Sequence, residues 1–354
     1  MEDVCDDGAF WKSHGYNDLA AAAAAAACND GKNAPLRFAV IADVQYADID
    51  DAYNFSKTSK RMYRRSLRAF QLAVQSWNSV HASKPISFVA QLGDLIDGQN
   101  KARGQSQGAL DACMNIVAGS SISEWHHSVG NHELYNFPRS ASHVPWSRPG
   151  ASYYMWRPHP RVVAVQLDAY EISTIGRSQD DSRTCEAWRI LNAHNPNDCK
   201  AFGVDWKRGL KGLQKRHVPY NGGLGSAQLA WFRTIVAQAR QDGDVCVVFS
   251  HLPTFPDAAT DDTLLFDFEQ ALAVLREYPS TVCAWFAGHQ HAGGVSHDPS
   301  SGTLHYTLAS PLESIEETCH AVVEILPRGD GAAIAVRGHG KLVSTAARIS
   351  SSFL

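Results

Sequence analysis

The stretch Leu36-Arg37-Phe38-Ala39-Val40-Ile41-Ala42-Asp43-Val44-Gln45 is an apolar, β-rich run that stops at a carboxylate. It reads as a buried strand delivering Asp43 at its C-terminal end. The pattern recurs. Strands expected over 86–91, 125–129, 245–249 and 282–286 end at Gly93-Asp94-Leu95-Ile96-Asp97, Gly130-Asn131-His132-Glu133, Ser250-His251 and Gly288-His289-Gln290-His291. Polar side chains at the ends of apolar strands are the α/β way of building a site on one rim of a sheet.

Working outward, a helix-period segment over roughly 58–81 carries Leu67, Phe70, Leu72, Val74 and Trp77 on its apolar face. A strand is expected over 161–167, and a helix over 227–240 behind the Gly222-Gly223-Leu224-Gly225 turn, with Ser226 as N-cap. That glycine-rich turn lacks the Lys and Ser/Thr of a P-loop, so turn formation is its expected purpose. Residues 180–220 show no sustained period and read as an insertion. After Gly294, short runs over 304–308, 321–325 and 332–336 imply a second, largely antiparallel sheet.

Composition narrows the classes. The 354 residues carry a net charge of −4 with 19% charged residues, and the Lys60-Arg61…Arg64-Arg65 cluster reads as a solvated helix face, so no nucleic-acid partner is expected. The eight cysteines are scattered without a CxxC and read as reduced thiols, which suits a cytosolic compartment. Residues 1–33 are acidic and then alanine-rich, and read as a flexible extension without a signal peptide; no apolar run is long enough to span a membrane. One catalytic domain over 34–345, acting as a monomer, is expected.

Carboxylate, amide and imidazole groups in this order suit two adjacent divalent ions, and so cleavage of a phosphate ester or anhydride. Asp94 is the expected bridge, with Asp43 on one side and Asn131 on the other. His251 and His289 would complete one ion, and His291 and Gln45 the other. On an extended segment His289 and His291 would share a face, with Gln290 pointing away. Asp97 and His132 are not needed as ligands; a carboxylate orienting an imidazolium would let His132 stabilise the transition state or protonate the leaving oxygen.

These five motifs resemble those of the calcineurin-like metallophosphoesterase superfamily over about 38–312. The resemblance implies an α/β fold, a two-sheet β-sandwich flanked by helices in four αββα layers, with a dinuclear site at one edge. Where most members carry a His two residues after the first Asp, this chain has Gln45, whose hard amide oxygen favours Mn²⁺ or Mg²⁺. In its setting Ile41-Ala42-Asp43-Val44-Gln45-Tyr46-Ala47-Asp48 it resembles a narrower group, the Mn-dependent ADP-ribose/CDP-alcohol diphosphatases. The stretches Val129 to Phe137, Leu167 to Ser173, Asn221-Gly222-Gly223-Leu224-Gly225 and Ser250-His251-Leu252-Pro253 are similar too. Membership implies two Mn²⁺ ions and hydrolysis of the pyrophosphate in ADP-ribose, CDP-choline and related nucleoside diphosphate compounds. Departures at Gln290 and at Leu264-Leu265-Phe266-Asp267, where that group carries a Cys and a Trp-Asn, bear on substrate preference and leave the metal site intact.

Tyr46, Tyr135 and Phe137 follow ligand loops and are candidates to stack on a base, while Asn136 and Arg139 are candidates to reach a phosphate or ribose. A cyclic-nucleotide phosphodiesterase or a phosphomonoesterase would use the same ligands. A purple-acid-type iron enzyme would need a Tyr ligand where Asp97 stands, and a non-catalytic nucleotide-binding scaffold would not need every ligand position filled.

Overall fold

A computed structural model describes Ser13 and residues 34–54, 56–148, 152–201, 203–328 and 331–350. The expected N-terminal extension lies, Ser13 apart, outside them, as do Cys5 and Cys28. Two six-stranded sheets form the centre. Their strands begin with β1 (Leu36–Ile41), β2 (Phe88–Gln91), β3 (Trp125–His127), β4 (Tyr154–His159), β5 (Val162–Gln166) and β6 (Val245–Phe249). They continue with β7 (Val282–Ala287), β8 (Gly294–His297), β9 (Leu304–Thr307), β10 (Cys319–Arg328), β11 (Gly331–Gly340) and β12 (Thr345–Ser350).

The first sheet runs β12-β11-β10-β1-β2-β3 and the second β8-β9-β7-β6-β5-β4. β1, β2 and β3 are parallel, as are β5, β6, β7 and β9, so the loops that carry the motifs leave each sheet at the C-terminal ends of parallel strands. The expected separate antiparallel sheet is corrected here. β9 pairs parallel with β7, while β10 returns to pair antiparallel with β1 and β11 and β12 extend that edge. Alternating apolar patterns mark strands but do not name their neighbours.

Period-two alternation sorts side chains into layers. Phe38 and Val40 of β1 enter the core between the sheets, and Ala39 and Ile41 enter the core beneath the helices. Phe38 stacks on Phe88 at 4.9 Å and meets Phe249 and Phe286 edge-on at 5.5 and 5.7 Å. Burial of each such ring contributes about 2–3 kcal/mol. Helices α1 (Tyr63–Ser83) and α2 (Ser106–Ala118) contribute to the core on the outer face of the first sheet. The short α3 (Asn131–Asn136) and α4 (Ser182–His194) follow, and α5 (Gly225–Asp242) and α6 (Phe268–Glu277) cover the second sheet. The result is the expected αββα order.

Four local expectations change. The helix expected from 58 begins at Tyr63, because Lys60–Arg61 pairs with Ala52–Tyr53 as a small ribbon. The basic cluster is accordingly not one solvated helix face: Lys60 pairs with Asp51, Arg64 with Asp48 and Asp50, and Arg61 turns inward onto Glu313. Ser226 lies inside α5; the Asp267 carboxylate accepts the Leu224 and Gly225 N–H groups at 3.0 and 2.8 Å and serves as its cap from a distant segment. The 180–220 segment contains α4, whose N-cap is Asp181. The six described cysteines are unpaired, and no described helix is long and apolar enough to cross a membrane.

His305 on β9 sets an acid limit. Its ring stacks on Phe255 at 4.6 Å, and neither ring nitrogen has a hydrogen-bond partner among the described residues. Burial holds its pKa down to about 3. The unfolded chain takes up that proton first, so stability is full above about pH 6.5 and falls as pH drops toward the folded value. Between pH 7.5 and 5 the native protein is expected to lose about 2 kcal/mol from this residue. His305→Phe should remove that part of the slope in urea melts; parallel slopes would show that His305 finds a partner.

Candidate dinuclear metal centre

The motifs converge because the backbone after each strand turns sharply. Asp43, Gln45, Asp94 and His289 all lie in the left-handed region, at φ of 53°, 44°, 55° and 66°. Strained residues of this kind persist where their surroundings hold them. The glycines ahead of the ligands permit close approach. A Cβ on Gly93 would fall 2.6 Å from His251 Nδ1, one on Gly288 would fall 2.6 Å from Asp43 Oδ2, and one on Gly130 would overlap Asp94 Oδ1.

Both carboxylates are buried and half-anchored. Asp43 Oδ2 accepts the His289 N–H at 2.8 Å, and Asp94 Oδ1 accepts the His132 N–H at 2.9 Å. The other oxygens face the imidazoles, with Asp43 Oδ1 3.5 Å from His291 Nε2 and Asp94 Oδ2 3.4 Å from His251 Nε2. Gln45 Nε2 stands 3.0 Å from Asp94 Oδ2 and 2.9 Å from His291 Nε2. Asp43 Oδ1 and Gln45 Oε1 are buried without a partner among the described residues, an arrangement that costs about 1–3 kcal/mol per atom. A half-turn of the Gln45 amide brings Oε1 between Asp94 and His291. The orphaned oxygens are what a divalent cation would satisfy, so the donor set fits a metal.

Each of three imidazoles has one nitrogen tied to an acceptor. His251 Nδ1 lies 2.7 Å from the Leu92 carbonyl, His289 Nε2 3.0 Å from Asn221 Oδ1 and His291 Nδ1 2.8 Å from Glu313 Oε1. The tied nitrogen carries the hydrogen, leaving the other lone pair for a metal. The open nitrogens face inward: His251 Nε2 lies 3.2 Å from His289 Nδ1, and ligating atoms of Asp94, His251 and His289 all lie within 4.8 Å of one another. Burial opposes charge on His251 and His291, yet Asp94 carries the first, and Asp43 with Glu313 the second, up to about 9. The anionic cluster thus attracts positive charge.

His132 is wired the other way. The Gly98 N–H donates to its Nδ1 at 2.7 Å, so in the neutral ring the proton sits on Nε2, 3.9 Å from Asp94 Oδ2. Burial lowers its pKa, but Asp94 and Asp97 outweigh burial and leave it raised. Asp97 Oδ2 lies 3.3 Å from the same Nδ1, placed to accept its N–H when the ring is protonated, while the Gly98 N–H serves the neutral ring.

Asn131 reaches the cluster with Oδ1 accepting the Tyr170 hydroxyl at 3.1 Å. His289 and His291 do not lie on an extended face as expected: His289 is left-handed and the Gly293 N–H closes a turn onto the Gln290 carbonyl, so the two rings arrive by a turn. Among the residues considered for substrate contact, Tyr135 is partly exposed and meets His132 at 5.4 Å between ring centres. Tyr46 is half-buried against the helical core. The other three have structural partners, and all three line one cavity with Tyr135. Asn136 Nδ2 donates to the Asp97 and His132 carbonyls while its Oδ1 accepts from Ser106, so it braces the loop. Phe137 is buried in the core. Arg139 makes a two-pronged pair with Asp168, at 2.6 and 3.0 Å, and donates to the Tyr170 carbonyl.

Sequence reasoning passed over Glu133, Tyr170, Asn221 and Glu313. Glu133 receives the Asp94, Leu95 and Gly130 N–H groups at 2.6, 2.7 and 2.8 Å and so clamps the Asp94 loop. Its position beside His132 was a signal, as was that of Asn221 before Gly222-Gly223. Glu313 has none, since it arrives from a turn after β9.

A family model described as calcineurin-like phosphoesterase matches residues 36–293. The manganese-dependent ADP-ribose/CDP-alcohol diphosphatase of Homo sapiens is 34% identical over 309 residues, 82% of this chain and 87% of that protein. The protein of that name from Danio rerio is 37% identical, over 78% of this chain and 88% of its own. A crystal structure of a dimetal phosphatase from Danio rerio aligns with a TM-score of 0.80 at 35% identity, covering 89% of this chain and 99% of that one. A purple acid phosphatase from yellow lupin aligns at a TM-score of 0.51 and 12% identity over 92% of this chain and 56% of its own, a likeness of fold alone.

Proposed function

The chain belongs to the calcineurin-like phosphoesterase family, and on that premise we propose that it hydrolyses the pyrophosphate bond of nucleoside diphosphate compounds such as ADP-ribose and CDP-choline. The products would be a nucleoside monophosphate and a phosphorylated sugar or alcohol. The observation that carries this reading is the opposed wiring of the imidazoles: three keep a lone pair for a metal, and His132 keeps a proton for the substrate.

Asp43, Gln45 and His291 would hold one ion, Asn131, His251 and His289 the other, and Asp94 both. Two divalent ions supply Lewis-acid polarisation of the phosphoryl oxygens and an activated water. The carboxylate and amide oxygens favour hard Mn²⁺, and two of the relatives described above are named manganese-dependent. His132 Nε2–H would donate to the oxygen between the two phosphorus atoms as that bond breaks. The raised pKa of the ring keeps Nε2 protonated, and Asp97 Oδ2, 3.3 Å from Nδ1, would take the second N–H of the charged ring. Residues 34–345 form the catalytic domain in this reading, with a small molecule as partner and no nucleic acid.

The test is a substrate panel. Metal-stripped protein is given Mn²⁺ or Mg²⁺ with ADP-ribose, CDP-choline, 2′,3′-cAMP or p-nitrophenyl phosphate, and products are resolved by chromatography. Release of AMP and CMP from the first two is expected. Cleavage of only the cyclic nucleotide or the monoester would replace this reading by a phosphodiesterase or a phosphomonoesterase on the same side chains.

A further inference from the structure

Of the three candidate histidine ligands, His251 is tied to a backbone carbonyl and His289 to a neutral amide. His291 alone is tied to a carboxylate, through Nδ1 and Glu313 Oε1 at 2.8 Å. That oxygen also accepts from Arg61 Nε at 3.0 Å, and the Ser59 side chain hydrogen-bonds the same carboxylate. Arg61 belongs to the ribbon Ala52–Tyr53/Lys60–Arg61, and Glu313 to a turn opened by Pro311. Ser310, just before that turn, donates its hydroxyl to the Asp43 carbonyl at 2.7 Å. One short segment therefore braces both Asp43 and His291.

The subsite these two share with Gln45 is the one whose third donor is a neutral amide. We propose that Glu313 is the positioning residue of that subsite, held in place by Arg61, and that it compensates for Gln45 by fixing His291 with Nε2 toward the ion and making the ring a stronger donor. A carboxylate hydrogen-bonded to the far nitrogen of a ligating imidazole has this effect, and losing such a partner typically weakens metal binding about 10–100-fold. The subsite of Asn131, His251 and His289 has no contact with Glu313 in this arrangement. The effect should therefore be confined to one ion. Among the described residues Arg61 is joined to His291 through Glu313, so its removal should produce a weaker version of the same change.

This inference rests on the dinuclear reading, and the experiment separates the two. Mn²⁺ binding to the metal-stripped full chain is followed by calorimetry, and by electron paramagnetic resonance, which tells an isolated ion from a coupled pair. Wild type should bind two ions. Glu313→Gln, nearly isosteric, should keep one with unchanged affinity and bind the second about 10–100-fold more weakly. Its spectrum at limiting Mn²⁺ should be that of a single ion. Arg61→Met should shift the second ion in the same direction by less. Glu313→Asp, which keeps the charge and shortens the reach, should also weaken only the second ion. Two ions bound by Glu313→Gln with wild-type affinities would overturn the assignment, as would equal weakening of both ions in Glu313→Gln and Glu313→Asp, which marks general loosening of the fold. Failure of wild type to bind two ions would instead bring down the dinuclear reading.

Discussion

Asp94→Asn should lower phosphohydrolase activity by at least about three orders of magnitude, the scale expected when a charge that assembles the electrostatic machinery is removed. Asp94 Oδ2 is the atom within reach of both Gln45 and His251. The substitution is close to a pure charge test. Asn retains an oxygen to accept the His132 N–H, and it tolerates the left-handed backbone at φ 55° better than most residues. The chain should therefore fold, with wild-type far-ultraviolet circular dichroism, while failing to hold a pair of ions. Asp94→Ala adds backbone strain and loses the His132 bond, so it should also lower Tm. Full activity in Asp94→Asn would rule out a bridging role.

His132→Gln should cost about 10²–10⁴-fold on pyrophosphate substrates, the range for a lost general acid. Its signature is dependence on the leaving group. A p-nitrophenyl ester of a nucleoside monophosphate leaves as a stable phenolate and needs little protonation, so the variant should retain much more activity on it. An equal loss on both substrates would mean that His132 stabilises charge or structure without delivering a proton. Asp97→Asn should cost less than His132→Gln, because it removes the charge that favours the protonated ring and leaves the ring itself in place.

How much was legible beforehand follows from what kind of contact each residue makes. Asp43, Asp94, Asn131, His251 and His289 follow apolar strands directly, and parallel pairing of β1, β2 and β3, and of β6 and β7, carries the ends of those strands to a common rim. Their clustering could be read from residue order because strand direction alone determines it. The partners of β9 and β10 could not, since both runs would satisfy either sheet. Arg139 looked like a phosphate contact beside a ligand loop, but its partner Asp168 comes from after β5, and only the fold shows that the guanidinium is taken. Asp267 as the cap of α5 and Glu313 behind His291 were invisible for the same reason: each acts across a long gap in sequence.

The most direct test of the account is a Mn²⁺ titration of metal-stripped protein, with bound ion counted and AMP release from ADP-ribose measured in the same samples. Activity should be absent without metal and should rise as the second ion per chain binds. Hydrolysis that survives metal removal, or that saturates with a single bound ion, would contradict it.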